Sequence, residues 1–221
     1  MTRGGHRPRR ATGKKDLVHS RLVSLALLLS LLGTATPALA QDPPPNPRVI
    51  VTTSMGEFEM ELYRDRVAAT VVNFLTYVIE GYYDGTVFHR VIRDTIIQGG
   101  GFTVDAEEQL APKAEGLRGT IVNQASRSLQ NRRGTIAMAR GGGANTARQQ
   151  FFINLDDNAS FDFKNPTDAG IGYAVFGRVT EGMDVVSEIG RVRTGTQGPL
   201  LDVPNDPVII ESIRRVEVPA Q

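Results

Sequence analysis

TVFHRVIRDTIIQGGGF, residues 86–102, is the stretch on which the reading of the fold turns. Its first half alternates with a period of two, placing Val87, His89 and Val91 on one face of a β-strand and Phe88, Arg90 and Ile92 on the other. That sets one guanidinium between two large apolar side chains, on a strand that reads as buried on both faces. A charge there needs a partner or a purpose. Alternatively, an arginine lays its stem over apolar neighbours and keeps its head in water.

Outward from this strand the chain is a series of short elements. Upstream, Val49 and Val51 alternate, Ser54-Met55-Gly56 turns, and EFEMELY sends Phe58, Met60 and Leu62 inward while Glu57, Glu59 and Glu61 face water. Then Val67, Val71, Phe74, Leu75 and Val78 recur at helical spacing, and Gly81 suits the helix end. Further strands are expected at Thr86–Ile92, Ile96–Gln98, Thr135–Ala139, Gln150–Leu155, Tyr173–Val179 and Val208–Val216, with a short helix at Met183–Ile189. Glycine-rich or polar turns separate them, and there is no internal repeat. This rhythm predicts a mainly β protein, an antiparallel barrel with two accessory helices.

The first forty residues stand apart. A basic run from Arg3 to Arg21 precedes the apolar stretch Leu22–Leu32 and the small-residue ending Ala38-Leu39-Ala40. This order is that of a secretory signal peptide (1–40), with cleavage expected between Ala40 and Gln41. Arg9-Arg10 lies far upstream of the apolar stretch, so ordinary secretion is expected over the twin-arginine route. The apolar run is short for a membrane span, and no cysteine follows the cleavage site to carry lipid. Residues 41–47, QDPPPNP, form a proline-rich linker, and 48–221 form the domain. The expected setting is periplasmic or secreted.

Removing the leader reverses the charge. Seven of 25 Lys/Arg and one of 24 Asp/Glu lie in it, leaving 18 and 23, a formal −5. Nucleic acid therefore loses its electrostatic argument. There is no cysteine, which excludes disulfides and thiolate chemistry. Of three histidines only His89 remains after the leader, so a His/Cys zinc site fails on count, and no G-x-S-x-G elbow accompanies that histidine. No metal and no cofactor are expected. With no heptad or long apolar edge, the expected state is a monomer.

Two other stretches carry candidate chemistry. In QQFFINL, 149–155, Phe151, Ile153 and Leu155 form an apolar face, so Phe152 is a large aromatic between Gln150 and Asn154. It is either covered by a loop or helix or serves as a binding platform flanked by amides. Gly141–Gly143 lack the Lys-Ser/Thr pair and the spacing of a phosphate loop and read as a turn. The sequon Asn158-Ala159-Ser160 and the acidic pairs Glu107-Glu108 and Asp156-Asp157 point to solvated loops.

In combination, FHRVI (88–92), IIQGGGF (96–102), GTIAMAR (134–140), QQFFINL (149–155) and YAVFGRVTEGMDVV (173–186) resemble the cyclophilin-type peptidyl-prolyl cis/trans isomerases, over nearly all of Arg48–Val216. The likeness is greatest to their secreted bacterial branch. It implies a closed eight-stranded antiparallel β-barrel capped by two α-helices and an enzyme that assists folding of proline-containing polypeptide clients. It also assigns roles. Arg90 matches the catalytic arginine and Gln98 the groove glutamine. Ile96 stands where methionine is usual, Phe152 matches the proline-pocket phenylalanine, and Gln150 precedes it. Ala139 and Arg140 match the strand whose backbone binds substrate, and Tyr173 occupies a place often held by histidine.

Two departures qualify the resemblance. Thr95 replaces a groove phenylalanine, with Arg93-Asp94 where Pro-Gly is usual. The pocket-rim aromatic falls on Ser160, with Phe161 next to it; a one-residue shift makes Phe161 the rim. They imply a shallower pocket, weaker peptide binding and poor affinity for cyclosporin-like ligands. Two rival readings follow. One is a cyclophilin-fold binding module or chaperone with little turnover. The other is a barrel carrying a small apolar ligand, which requires an empty apolar lumen.

Overall fold

A computed structural model describes residues 45–107 and 109–217. The expected signal peptide (1–40) and the start of the expected linker lie outside them, and 45–47 have no regular secondary structure. In chain order the elements are β1 (Arg48–Thr53), β2 (Gly56–Leu62), α1 (Ala68–Ile79), β3 (Thr86–Ile92), β4 (Ile96–Gly99), β5 (Phe102–Val104), β6 (Leu110–Pro112), β7 (Thr135–Met138) and β8 (Phe151–Asn154). A single 3-10 turn (Ala159–Phe161), β9 (Val175–Glu181), α2 (Met183–Ile189), β10 (Thr194–Gln197), β11 (Leu200–Pro204) and β12 (Ile209–Arg215) complete them. Eight strands close an antiparallel barrel in the order β1-β12-β3-β4-β8-β7-β9-β2.

The hairpin β1–β2 forms as its alternation requires. Phe58, Met60 and Leu62 are buried, and the two residues Ser54-Met55 join the strands. The glutamates on the other face do more than meet water: Glu59 pairs with Arg48 on β1 and Glu61 with Arg178 on β9. Helix α1 buries Val71, Phe74, Leu75 and Val78. It ends in a Schellman arrangement around Gly81, whose φ is +66°: Tyr82 N–H donates to Tyr77 C=O and Gly81 N–H to Val78 C=O. The Tyr77 and Tyr82 rings meet across that end, centres 4.8 Å apart and planes tilted by 60°.

The core is aromatic. Phe74 of α1 sets its ring 5.5 Å from Phe151 and 5.1 Å from Phe176, and Phe151 also meets Tyr83 and Phe88. With the inward strand residues these make one continuous buried cluster. It is not the open apolar lumen that a ligand-carrying barrel requires.

Strand β3 departs from its expected alternation. Phe88 pairs with Gly99 of β4 and Arg90 with Gln98, so His89 is an extra residue, a β-bulge. The bulge resets the phase of the strand. Phe88 and Val91 belong to the core, whereas Arg90 is exposed rather than sharing the face of Phe88. Two further differences concern surface elements. The hairpins β5–β6 and β10–β11 lie outside the barrel sheet and were not expected. Strand β9 starts at Val175 rather than Tyr173, because Tyr173 N–H donates to Phe161 C=O instead of entering the ladder.

Candidate active site

Directly paired residues of antiparallel strands point to the same face. One transverse row, Val91, Ile97, Ile153 and Ile136 across β3, β4, β8 and β7, is wholly buried. The neighbouring row is Arg90, Gln98, Phe152 and Ala137 on the same four strands, and by the pleat it faces outward. Two residues further along, Ile96 pairs with Asn154 on this outer face. Thus Arg90, Gln98, Ile96 and Phe152, from separate parts of the chain, share one stretch of barrel surface. Gln150 and Ala139 extend it past the ends of β8 and β7, joined by a hydrogen bond from Ala139 N–H to Gln150 C=O.

Both readings of Phe152 contain part of the answer. The ring is only 2% exposed, because Phe161 and Tyr173 stand edge-on to it at 5.8 and 5.3 Å. Phe161 and Tyr173 also meet each other at 5.2 Å. The aromatic that reaches Phe152 is therefore Phe161, while Ser160 is exposed on the same 3-10 turn. Arg140 holds this corner from outside. Its guanidinium lies 5.0 Å from the Tyr173 ring centre and donates to the carbonyls of Gly172 and Asp168. Thr95 offers no aromatic surface; its N–H closes the β3–β4 turn onto Ile92 C=O, with Asp94 at φ +54° in the usual glycine conformation.

Gln98 and Gln150 form the centre of the surface. Gln98 donates from Nε2 to Gln150 Oε1 at 2.9 Å, and both amides line the clefts on either side. One cleft, about 400 Å³, adds Ala139, Arg140, Thr146 and Arg148. The other, about 360 Å³, adds His89, Arg90, Phe102 and the β10–β11 residues Pro199, Leu200 and Leu201. A polypeptide laid across the glutamine pair has room on both sides of it. Gly101 permits this arrangement, since a Cβ there would overlap the Gln150 side chain. Gly101→Ala is expected to keep stability within about 1 kcal/mol, because a surface side chain can yield. It should raise KM for a peptide several-fold by turning Gln150 away from Gln98, as steady-state kinetics with parallel unfolding curves will show.

His89, the bulged residue, is buried beneath the Arg90 cleft, 4.5 Å from the Phe102 ring. Its Nδ1 makes no hydrogen bond among the described residues. Burial, aided by the adjacent Arg90 charge, pushes its pKa down to about 4. In the unfolded chain the imidazole binds a proton near pH 6.5, so between these values the unfolded state holds more protons. Stability is therefore full above about pH 6.5 and falls as pH drops toward 4, by roughly 3 kcal/mol from this group. Denaturant midpoints measured from pH 7 to 4 should show that loss, and His89→Gln should reduce it.

Sequence reasoning missed the β10–β11 side of this surface. Asp202 Oδ2 lies 3.5 Å from Arg90 Nε, and Leu200 and Leu201 wall the cleft. The only available signal was the Gly198-Pro199 turn.

This geometry meets the comparisons with known proteins. The sequence profile described as Cyclophilin type peptidyl-prolyl cis-trans isomerase/CLD matches residues 48–215. The chain belongs to that family and is a peptidyl-prolyl cis/trans isomerase. Among curated relatives, peptidyl-prolyl cis-trans isomerase cyp18 of Streptomyces antibioticus is 49% identical over 168 residues, covering 75% of this chain and 96% of that protein. A peptidyl-prolyl cis-trans isomerase of Acinetobacter baylyi is 42% identical, covering 87% and 95%. Peptidyl-prolyl cis-trans isomerase B of Escherichia coli is 44% identical, covering 73% and 94%. A crystal structure of a cyclophilin type isomerase from Cryptosporidium parvum matches the fold with TM-score 0.61 at 24% identity, covering 79% of this chain and 99% of that one. Among the described residues, no helix is long and apolar enough to cross a membrane.

Proposed function

We propose that the protein speeds X-Pro rotation in exported polypeptides and so assists their folding, with Arg90 as the group that acts on the rotating bond. The outer-face row Arg90–Gln98–Phe152 carries this reading. Amide resonance sets a barrier of about 18–20 kcal/mol, which makes uncatalysed isomerisation slow enough to limit folding. No bond need be broken. The requirement is a group that interacts more strongly with the twisted bond than with either planar form.

Arg90 meets that requirement by donating to the prolyl nitrogen. The nitrogen lone pair becomes available only as conjugation with the carbonyl is lost, so the hydrogen bond strengthens toward the transition state. Phe152, Ile96 and Phe161 hold the pyrrolidine ring, with Tyr173 backing the last. Gln98, Gln150 and the Ala139–Arg140 backbone hold the chain on either side while the bond turns. The protein acts as a monomer without cofactor.

Export is supported by the leader pattern of residues 1–40. The test has two arms. Expressed with its leader in a Gram-negative host, the protein should be recovered from the periplasm with Gln41 as its first residue. Added in catalytic amount to a refolding protein limited by proline isomerisation, it should shorten the phase lasting tens to hundreds of seconds. Retention of an uncleaved chain in the cytoplasm overturns the export reading, and an unchanged slow phase overturns the folding role.

A further inference from the structure

Among the described residues, the Arg90 guanidinium makes no hydrogen bond, and its one ionic partner is Asp202, on the β10–β11 hairpin outside the barrel. The carboxylate approaches from the Nε side at 3.5 Å. Nε is thus the nitrogen nearest the carboxylate, and the terminal nitrogens have no hydrogen-bond partner among the described residues. Both side chains are well exposed, 45% and 39%, and a surface ion pair of this kind contributes little to stability. Its presence therefore calls for another explanation.

The backbone at Asp202 strengthens that demand. Leu201 and Asp202 together bulge opposite Thr196, since Gly195 pairs with Val203 and Gln197 with Leu200. Asp202 has φ +60°, the left-handed region that glycine enters without cost and that most side chains avoid, aspartate less than others. That conformation at a site edge, occupied by a carboxylate where glycine fits best, singles out the side chain. The hairpin is also fixed beside Arg90's own strand. Val203 is buried, and Val203 and Pro204 share a small cleft with Val87, Phe88 and His89. Bulge meets bulge across this contact: one turns Arg90 outward, the other aims a carboxylate at it.

We propose that Asp202 is a positioning residue for Arg90, holding the guanidinium by its Nε so that its terminal nitrogens are presented to the bound X-Pro bond. This rests on the catalytic reading of Arg90. Without the carboxylate, the arginine samples orientations in which its fork misses the prolyl nitrogen, and the loss falls on turnover rather than on peptide binding.

The test is a double-mutant cycle on the full chain, using a proline-containing peptide and thermal unfolding. Asp202→Gly removes both the carboxylate and the backbone strain. The expected result is about a tenfold lower kcat with KM unchanged and Tm equal to or above that of the parent. Asp202→Asn, which keeps an acceptor oxygen, should fall between. In the Arg90→Ala background, Asp202→Gly should have no further effect. Parent-like or higher kcat for Asp202→Gly overturns the proposal, as does an equal loss in both backgrounds. If Arg90→Ala alone retains full activity, the catalytic reading itself fails, and this outcome is separate from the other two.

Discussion

Arg90→Ala is expected to lower kcat and kcat/KM together by about 10²–10³-fold, the scale for removing one preorganised donor to a transition state. KM should hardly move, because the donor's partner appears only when the amide is twisted. Stability should change by less than about 1 kcal/mol, since Arg90 is exposed and its ionic partner lies outside the barrel. Arg90→Lys should restore only part of the rate, because an ammonium lacks the planar fork that can meet Asp202 and a peptide at the same time. A protease-coupled peptide assay measures all three proteins. An alanine variant within a few-fold of the parent would falsify the role given to this side chain.

Phe151→Ala should cost about 3–5 kcal/mol of folding stability, a large fraction of what a domain of this size possesses. The ring is fully buried and meets Phe74 of α1, Phe88 of β3 and Tyr83, so its removal opens a cavity between helix and barrel. Phe151→Leu should lose much less, because most of the volume remains. Guanidinium unfolding curves give the values. Below the transition, kcat per folded molecule should stay near the parent, since Phe151 lies on the opposite face of β8 from Phe152. A loss under about 1 kcal/mol for alanine would mean that the aromatic cluster closes over the gap.

What the sequence made legible follows from what local pattern can express. EFEMELY, the α1 spacing and Phe151-x-Ile153 each reveal a buried face within a single element, and the structure buries those residues. The candidate site residues came from resemblance to a family; their arrangement was not legible in the chain. That Arg90, Gln98 and Phe152 form one row depends on register, which is a property of paired strands. The bulge at His89 was hidden for the same reason, because an extra residue exists only relative to a partner. In β10–β11, the sequence TGTQGPLLDVP sets Leu200 beside Leu201 directly after Pro199 and ends in Pro204, so no alternation marks a strand. Asp202 was one acid among many until the fold placed it against Arg90.

The bulge also sets which kinds of genetic change this protein can absorb. Loss of the His89 codon leaves Phe88 opposite Gly99 and Arg90 opposite Gln98, so β3 then alternates regularly and Arg90 keeps its place on the outer face. What such a deletion takes away is the imidazole buried beneath the Arg90 cleft, and not the row above it. Loss of Arg90 or Gln98 removes a member of that row itself. Among variants of this chain, one codon fewer at the bulge is therefore a change that the segment 88–99 can absorb, whereas the codons of the row are not dispensable.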